Sequence, residues 1–491
     1  MNPRTRLALE ILTLSFALGV AGNALLRVGP WGINVAIWLI LLMAGATALE
    51  MRHRAPSVGR APWIALVALL PALGIAWRDS PALKLLDLGM LGLCLSLALI
   101  QARGTRLARG GIVEFGWRFF GSGVAVLRGG LPLFVRESWW TAQAAEGWGR
   151  QARAVSIGAL VATPWLIVFG ALFASADAVF RNLVGRLIGF DFSLLMSHLI
   201  PTVFCAWGVA GALISLKWND ARQGPARQSG AFAALGPLEI GVALGLLNAL
   251  FLGFILIQIG YLFGGASLIQ VTPELTYAGY ARQGFFQLVA VVCLAVPGLL
   301  LMDATLTTAS RRGYRWQAFL MTLLLAVILA SAYHRMHLYV EVFGWTELRF
   351  FVTALMAWLV MALGCFLALV LTGHRDRFFP GLMLATFAWV AALHLANPDA
   401  WIARSNLDLA RAGRGFDAAY AAQLSADAVP SLIEAWPTLT DDDRSMIAPA
   451  LGRRVPVGTG DWRLWSWSHH VACQAVLPHR EFIQHHAPPR N

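Results

Sequence analysis

Apolar residues run along this chain in blocks of about twenty, the length that crosses a membrane's hydrocarbon core as a helix, and polar residues gather between the blocks. Eleven windows follow that pattern: Leu7 to Leu26, Trp31 to Ala48, Ala61 to Trp77, Pro81 to Gln101, Ala154 to Ser175, Ser193 to Leu216, Pro237 to Phe263, Gly284 to Thr308, Trp316 to Tyr333, Glu347 to Thr372 and Phe378 to Ala396. They predict an all-α, polytopic membrane helix bundle of about eleven spans. The chain divides into an N-terminal four-span hairpin pair (1–102), a cytoplasmic interfacial segment (103–153), a seven-span core (154–397) and a tail (398–491).

The tail breaks the pattern. Ala400 to Ala412, Phe416 to Ser425 and Asp427 to Trp436 read as short helices, with Ser-Ala-Asp at 425–427 as a helix start. Pro437 to Asp443 reads as a turn, and Trp462, Trp465 and Trp467 open a last helical stretch. Together they predict a small C-terminal helical cap on the outer side, packed on the spans or the membrane surface.

Composition agrees with a membrane protein: 58% of residues are hydrophobic and 13% charged. A net charge of +12 could suggest nucleic acid, but the positions of the basic residues argue otherwise. Arg52, Arg54 and Arg60, then Arg103, Arg106 and Arg109, then Arg311, Arg312 and Arg315, then Arg375 and Arg377 all fall on one side of the alternating spans. By the positive-inside rule that side is cytoplasmic, so the N-terminus is expected inside and the tail outside. The expected partners are membrane lipids, not nucleic acid. Segment 103–153 mixes arginines with Trp117, Trp139, Trp140 and Trp148, as suits helices lying in the headgroup plane.

Polar chemistry is concentrated in Ser331 to Phe351, where His334, Arg335, His337, Tyr339, Glu341, Glu347 and Arg349 lie between two apolar runs. His334, His337 and Glu341 share one helix face, and Gly344 is expected to end the helix before Thr346 caps the next. Tyr280, Arg282 and Gln283 at the start of one span, and His394 and Asn397 at the end of another, map to the same outer leaflet. The expectation is a shared, outward-facing polar cavity that binds an envelope protein or a lipid ligand. It places Arg335, Glu341 or Glu347 and Tyr280 side by side. Lys84 and Asp87, at i and i+3, are expected to form a structural ion pair.

His334, His337, Glu341 and His394 could together ligate a metal, but Arg335 beside them would repel a divalent cation, so no metal and no cofactor is expected. No phosphate loop, dinucleotide fingerprint, zinc-protease helix or nucleophile elbow occurs in plausible context, which leaves no catalytic residue to name. A membrane sugar transferase would need a long first outer loop carrying an acidic residue; here that loop is Arg27 to Pro30.

Phe173 to Leu183, Thr276 to Leu288, Ser331 to Phe351 and Asn397 to Leu432 resemble a bacterial family of multi-spanning inner-membrane proteins carrying a domain of unknown function. Its most specific parts are Arg282 to Leu288 and Arg335 to Arg349, with Trp345 standing where another apolar residue is usual. The resemblance covers Ala154 onward and implies an inner-membrane location; it implies no activity. A non-catalytic scaffold or sensor is therefore the leading expectation, with a small-molecule or ion transporter second and a membrane-embedded enzyme third.

Overall fold

A computed structural model describes residues 3–53, 66–102, 192–217, 237–263, 285–305, 311–454, 461–481 and 483. The chain is all-α over these residues, with no strand among them. Ten apolar helices come first: α1 (Pro3–Leu26), α2 (Ile33–His53), α3 (Leu69–Trp77), α4 (Pro81–Ala102), α5 (Phe192–Lys217), α6 (Pro237–Phe263), α7 (Phe285–Thr305), α8 (Arg311–Phe343), α9 (Glu347–Cys365) and α10 (Phe378–Ala396). A π-helical turn, Phe366–Val370, extends α9. Among the described residues, six stretches are long and apolar enough to cross a membrane: Arg6–Leu26, Ile33–His53, Pro81–Ile100, Arg312–Phe343, Glu347–Val370 and Arg375–Ala396. Shorter apolar stretches lie within α5, α6 and α7. The window Ala154 to Ser175 and the segment 103–153 lie outside the described residues.

Neighbouring helices run antiparallel. Glu10 near the start of α1 meets His53 and Arg52 at the end of α2, at 2.6 and 3.3 Å. α1 also packs along α5: Asn23 Nδ2 lies 3.2 Å from His198 Nδ1, while Ala8 and Ile11 share a core with Leu213. Gly19 permits the approach, because a Cβ there would stand 2.7 Å from the Thr202 carbonyl oxygen. A larger apolar core joins α6, α7, α8 and α9 through residues such as Leu244, Val292, Leu325 and Leu359. Tyr314 at the start of α8 donates to the Leu299 carbonyl near the end of α7, at 2.7 Å.

The cap follows as α11 (Pro398–Arg411), α12 (Ala418–Ala421), α13 (Val429–Ala435), α14 (Asp441–Arg454) and α15 (Trp467–Val476). It has its own apolar core, built on Ile402, Leu424, Leu432, Ile447 and Ala472. Ser425 accepts from Asp427 N–H and starts the turn before α13, as its sequence suggests. Pro437 to Asp443, expected to be a turn throughout, instead ends in a helix start. Thr440 and Asp443 form a reciprocal cap, Asp443 N–H to Thr440 Oγ1 at 3.2 Å and Thr440 Oγ1–H to Asp443 Oδ2 at 2.7 Å. Three acidic residues in the first turn of α14 add favourable charge at the positive end of its dipole.

Four helix junctions meet the cap on one side of the bundle: the α1–α2 loop, the α3–α4 loop, the α8–α9 turn and the end of α10. Ile33 N–H donates to the Trp465 carbonyl at 3.0 Å, which fixes the first of these.

Candidate functional site

The α3–α4 connection is three residues, Arg78, Asp79 and Ser80, too short to satisfy its own backbone. Asp427, from the turn before α13, does so. Its Oδ2 accepts from the N–H groups of Asp79 (2.7 Å) and Ser80 (3.1 Å), and its Oδ1 from Arg78 Nη1 (3.3 Å). Ser468 of α15 places its hydroxyl against Asp427 Oδ1 and the Trp77 carbonyl oxygen. The Asp427 side chain is 1% exposed. A buried carboxylate is tolerable only with such a complement of donors, and here every donor but those of the cap belongs to the spans.

Arg78 looks the other way as well. Its Nε donates to the His394 carbonyl at 2.8 Å, and its guanidinium stacks over Trp77, 4.8 Å from the ring centre. Asp399, fully buried in the first turn of α11, accepts from Ser425 N–H (3.2 Å) and Ser80 Oγ (3.5 Å). Burial pushes its carboxyl up to about 7, hydrogen bonds from Ser425 oppose that shift, and the nearby charges of Glu347 and Asp427 add to it. One level deeper, His394 Nε2 lies 3.1 Å from Asp87 Oδ2, and both side chains are almost fully buried.

The α8–α9 turn forms the second contact with the cap. Gly344 adopts φ +71°, and Trp345 exchanges two hydrogen bonds of 2.8 Å with the Asn406 side chain of α11. A Cβ on Gly344 would stand 2.9 Å from Asn406 Oδ1, so glycine serves both the backbone angle and the close approach. Glu347 N–H donates to the Tyr420 hydroxyl at 2.6 Å. Burial pushes the Tyr420 hydroxyl up to about 12, against the lowering effect of that hydrogen bond. Thr346 caps α9 as expected, accepting from Arg349 N–H. Trp345 meets Trp401 edge to face at 4.6 Å.

The expected binding cluster is thereby divided. Glu347, Arg349, Tyr339, His394 and Asn397 sit at junctions with the cap or beside them. Arg349 closes the end of α8 by donating to the carbonyls of Phe343 (2.9 Å) and Gly344 (2.6 Å), and it stacks on Tyr339. His334, His337 and Glu341 lie on an exposed face of α8; His337 Nδ1 and Glu341 Oε1 are 3.4 Å apart, with about half of each side chain exposed. Arg335 is half-buried on the same helix. Tyr280, Arg282 and Gln283 lie outside the described residues. The expected ion pair also changes partners: Lys84 joins Asp79 at 2.6 Å, while Asp87 joins His394. Asp87 points along α4 toward α10, whereas Lys84 can reach back to the loop.

Arg78, Asp399, Asn406, Asp427 and Ser468 are absent from the binding cluster expected from the sequence. Arg78 carried a signal: it is an arginine on the side of the bundle that is poor in basic residues, where a cation needs a protein partner.

A family model described as Domain of unknown function (DUF4153) matches residues 65–435. No curated protein and no solved structure matches the chain.

Proposed function

The chain belongs to the DUF4153 family, whose description assigns no activity, and from the joint between its spans and its cap we propose that it is a non-catalytic membrane scaffold or sensor. The observation that carries this reading is Asp427, one buried cap carboxylate on which a loop of the spans and a cap serine converge. Groups that saturate one another in this way transmit position and leave no lone pair free for a substrate. The cap would then present its outer surface to an envelope protein or to lipid headgroups.

The reading includes an inner-membrane location, a cytoplasmic N-terminus and an extracytoplasmic cap. In support, Arg52, Lys217, Arg311, Arg312, Arg375 and Arg377 all stand at helix ends away from the cap. It also includes eleven spans; α4 ends away from the cap and α5 begins near it, which agrees with that count. A transporter is the second reading. Asn248 Oδ1 and Gln317 Oε1, in α6 and α8, are buried oxygens without a hydrogen-bond partner among the described residues.

The test is purification in mild detergent of the parent and of an Asp427→Asn variant, with mass spectrometry of co-purifying proteins and lipids. A partner or lipid held by the parent and lost by a variant that still melts cooperatively supports the scaffold reading. Equal occupancy, or none in either, overturns it. Alkaline phosphatase fused after Arg480 should be active; an inactive fusion would reverse the orientation.

A further inference from the structure

We propose that Asp87 and His394 form a proton-binding site in the membrane-spanning part of the chain, and that the single proton they share keeps the cap joint closed. The proposal rests on the joint being the working part of the molecule and names what it would sense.

The proton count follows from the hydrogen bonds. His394 Nδ1 lies 2.9 Å from the Val390 carbonyl, which can only accept, so Nδ1 carries a hydrogen. The other ring nitrogen faces Asp87 Oδ2 at 3.1 Å. With no proton between them, an imidazole lone pair would confront a carboxylate lone pair. One proton turns the contact into a hydrogen bond.

Where that proton sits follows from burial. Asp87 Oδ1 is buried with no hydrogen-bond partner among the described residues. An ionised carboxylate would leave a charged oxygen unsolvated there, whereas a carboxylic acid leaves only a carbonyl oxygen, which is far cheaper to bury. The neutral pair, Asp87 donating to His394 Nε2, is the form the site favours. α3 closes it from above: a Cβ on Gly74 would stand 2.7 Å from Asp87 Oδ2 and 2.8 Å from His394 Nε2, so backbone fills the space a water would need. The Trp77 ring lies 5.9 Å from the imidazole.

The link to the cap is covalently short. The residue whose ring shares the proton also offers its carbonyl to Arg78 Nε, and Arg78 reaches Asp427. The charged and titratable groups around the pair are Arg78 on the α3–α4 loop, Asp399 and Asp427 on the cap, and Asp79 and Lys84, which neutralise each other. Loss of the proton creates a new anion at Asp87, against the ring of the residue whose carbonyl holds Arg78. That anion repels the ring's lone pair and so disturbs the carbonyl that holds Arg78 against Asp427, and the joint should loosen as pH rises and close as it falls.

The experiment uses the full chain in lipid vesicles, in an Asp399→Asn background that removes the buried cap acid raised to about 7. Infrared spectra should show a protonated carboxyl band that persists at pH values where exposed carboxylates are ionised, and that is missing from Asp87→Asn. A spectrum without such a band overturns the proposal. Hydrogen exchange at the Asp79 and Ser80 amides supplies the second readout. Corrected for the intrinsic pH dependence, their exchange should accelerate about tenfold or more at alkaline pH. In Asp87→Asn, whose amide donates to His394 at every pH, it should stay flat. Equal pH dependence in both proteins also overturns the proposal. If the band is present but no partner or lipid depends on Asp427, the scaffold reading alone falls.

Discussion

Two polar regions of this molecule invite comparison: the stretch from His334 to Glu341 on α8, dense in charge and histidine, and the three-residue loop from Arg78 to Ser80. The first is conspicuous, and within it His337 meets Glu341 with about half of each side chain exposed. The second is inconspicuous and is buried under a cap carboxylate, a cap serine and the end of α10. The difference teaches that polar density in a membrane sequence marks where a helix leaves the hydrocarbon, whereas a single charge in a place that cannot solvate it marks where the chain is joined.

The comparison can be broken most sharply at Asp427. Asp427→Ala leaves Arg78 and two backbone N–H groups without their acceptor and should cost about 3–5 kcal/mol of cap docking, read by hydrogen exchange across the cap. Next comes pH. Asp399 is raised to about 7 in the folded protein, so the native state holds a proton that the unfolded chain releases near pH 4. The share of stability that depends on Asp399 should therefore be greatest at low pH and fall as pH climbs from about 4 to about 7. Asp399→Asn should flatten that part of the melting profile; an unchanged slope would place the titration elsewhere.

Smaller effects sharpen the picture. Gly74→Ala forces a methyl onto Asp87 and His394 and should destabilise by roughly 1–3 kcal/mol, while Gly89→Ala, with open space at its Cβ, should not. Tyr420→Phe strips the acceptor from Glu347 N–H and should cost about 1 kcal/mol in a thermal melt. At the bottom of the scale, His337→Ala should change stability by no more than about 0.5 kcal/mol. A larger loss there would mean that the α8 face is a joint after all.

Much of the fold is legible in the sequence because its causes are local. Apolar length marks the long helices, Gly344 and Thr346 mark the α8–α9 turn, and Ser425 marks a helix start. The sequence marks Asp427 only as part of that start, which it is, since its N–H meets Ser425 Oγ. Its side chain does something that no local pattern encodes, because its partners in the spans lie 347 to 349 positions earlier. The Lys84 and Asp87 pairing failed for a related reason. Helical spacing makes a pair possible, but His394 from α10 and Asp79 from the loop compete for the two charges and offer better geometry. The start of α14 is hidden in the sequence because Pro437 and three successive aspartates have the composition of a turn, and only Thr440, which accepts from Asp443 N–H, distinguishes it.

The separation between Arg78 and Asp427 also sets an order of events during synthesis. At about 5–20 residues per second, a ribosome reaches Asp427 roughly 20–70 s after Arg78. Through that interval the first two hairpins are present without the carboxylate that completes their loop, and Arg78 must stay in contact with water or headgroups. The bundle is thus locked from its last part backwards, and a chain stopped anywhere before Asp427 would leave its earliest helices unfinished.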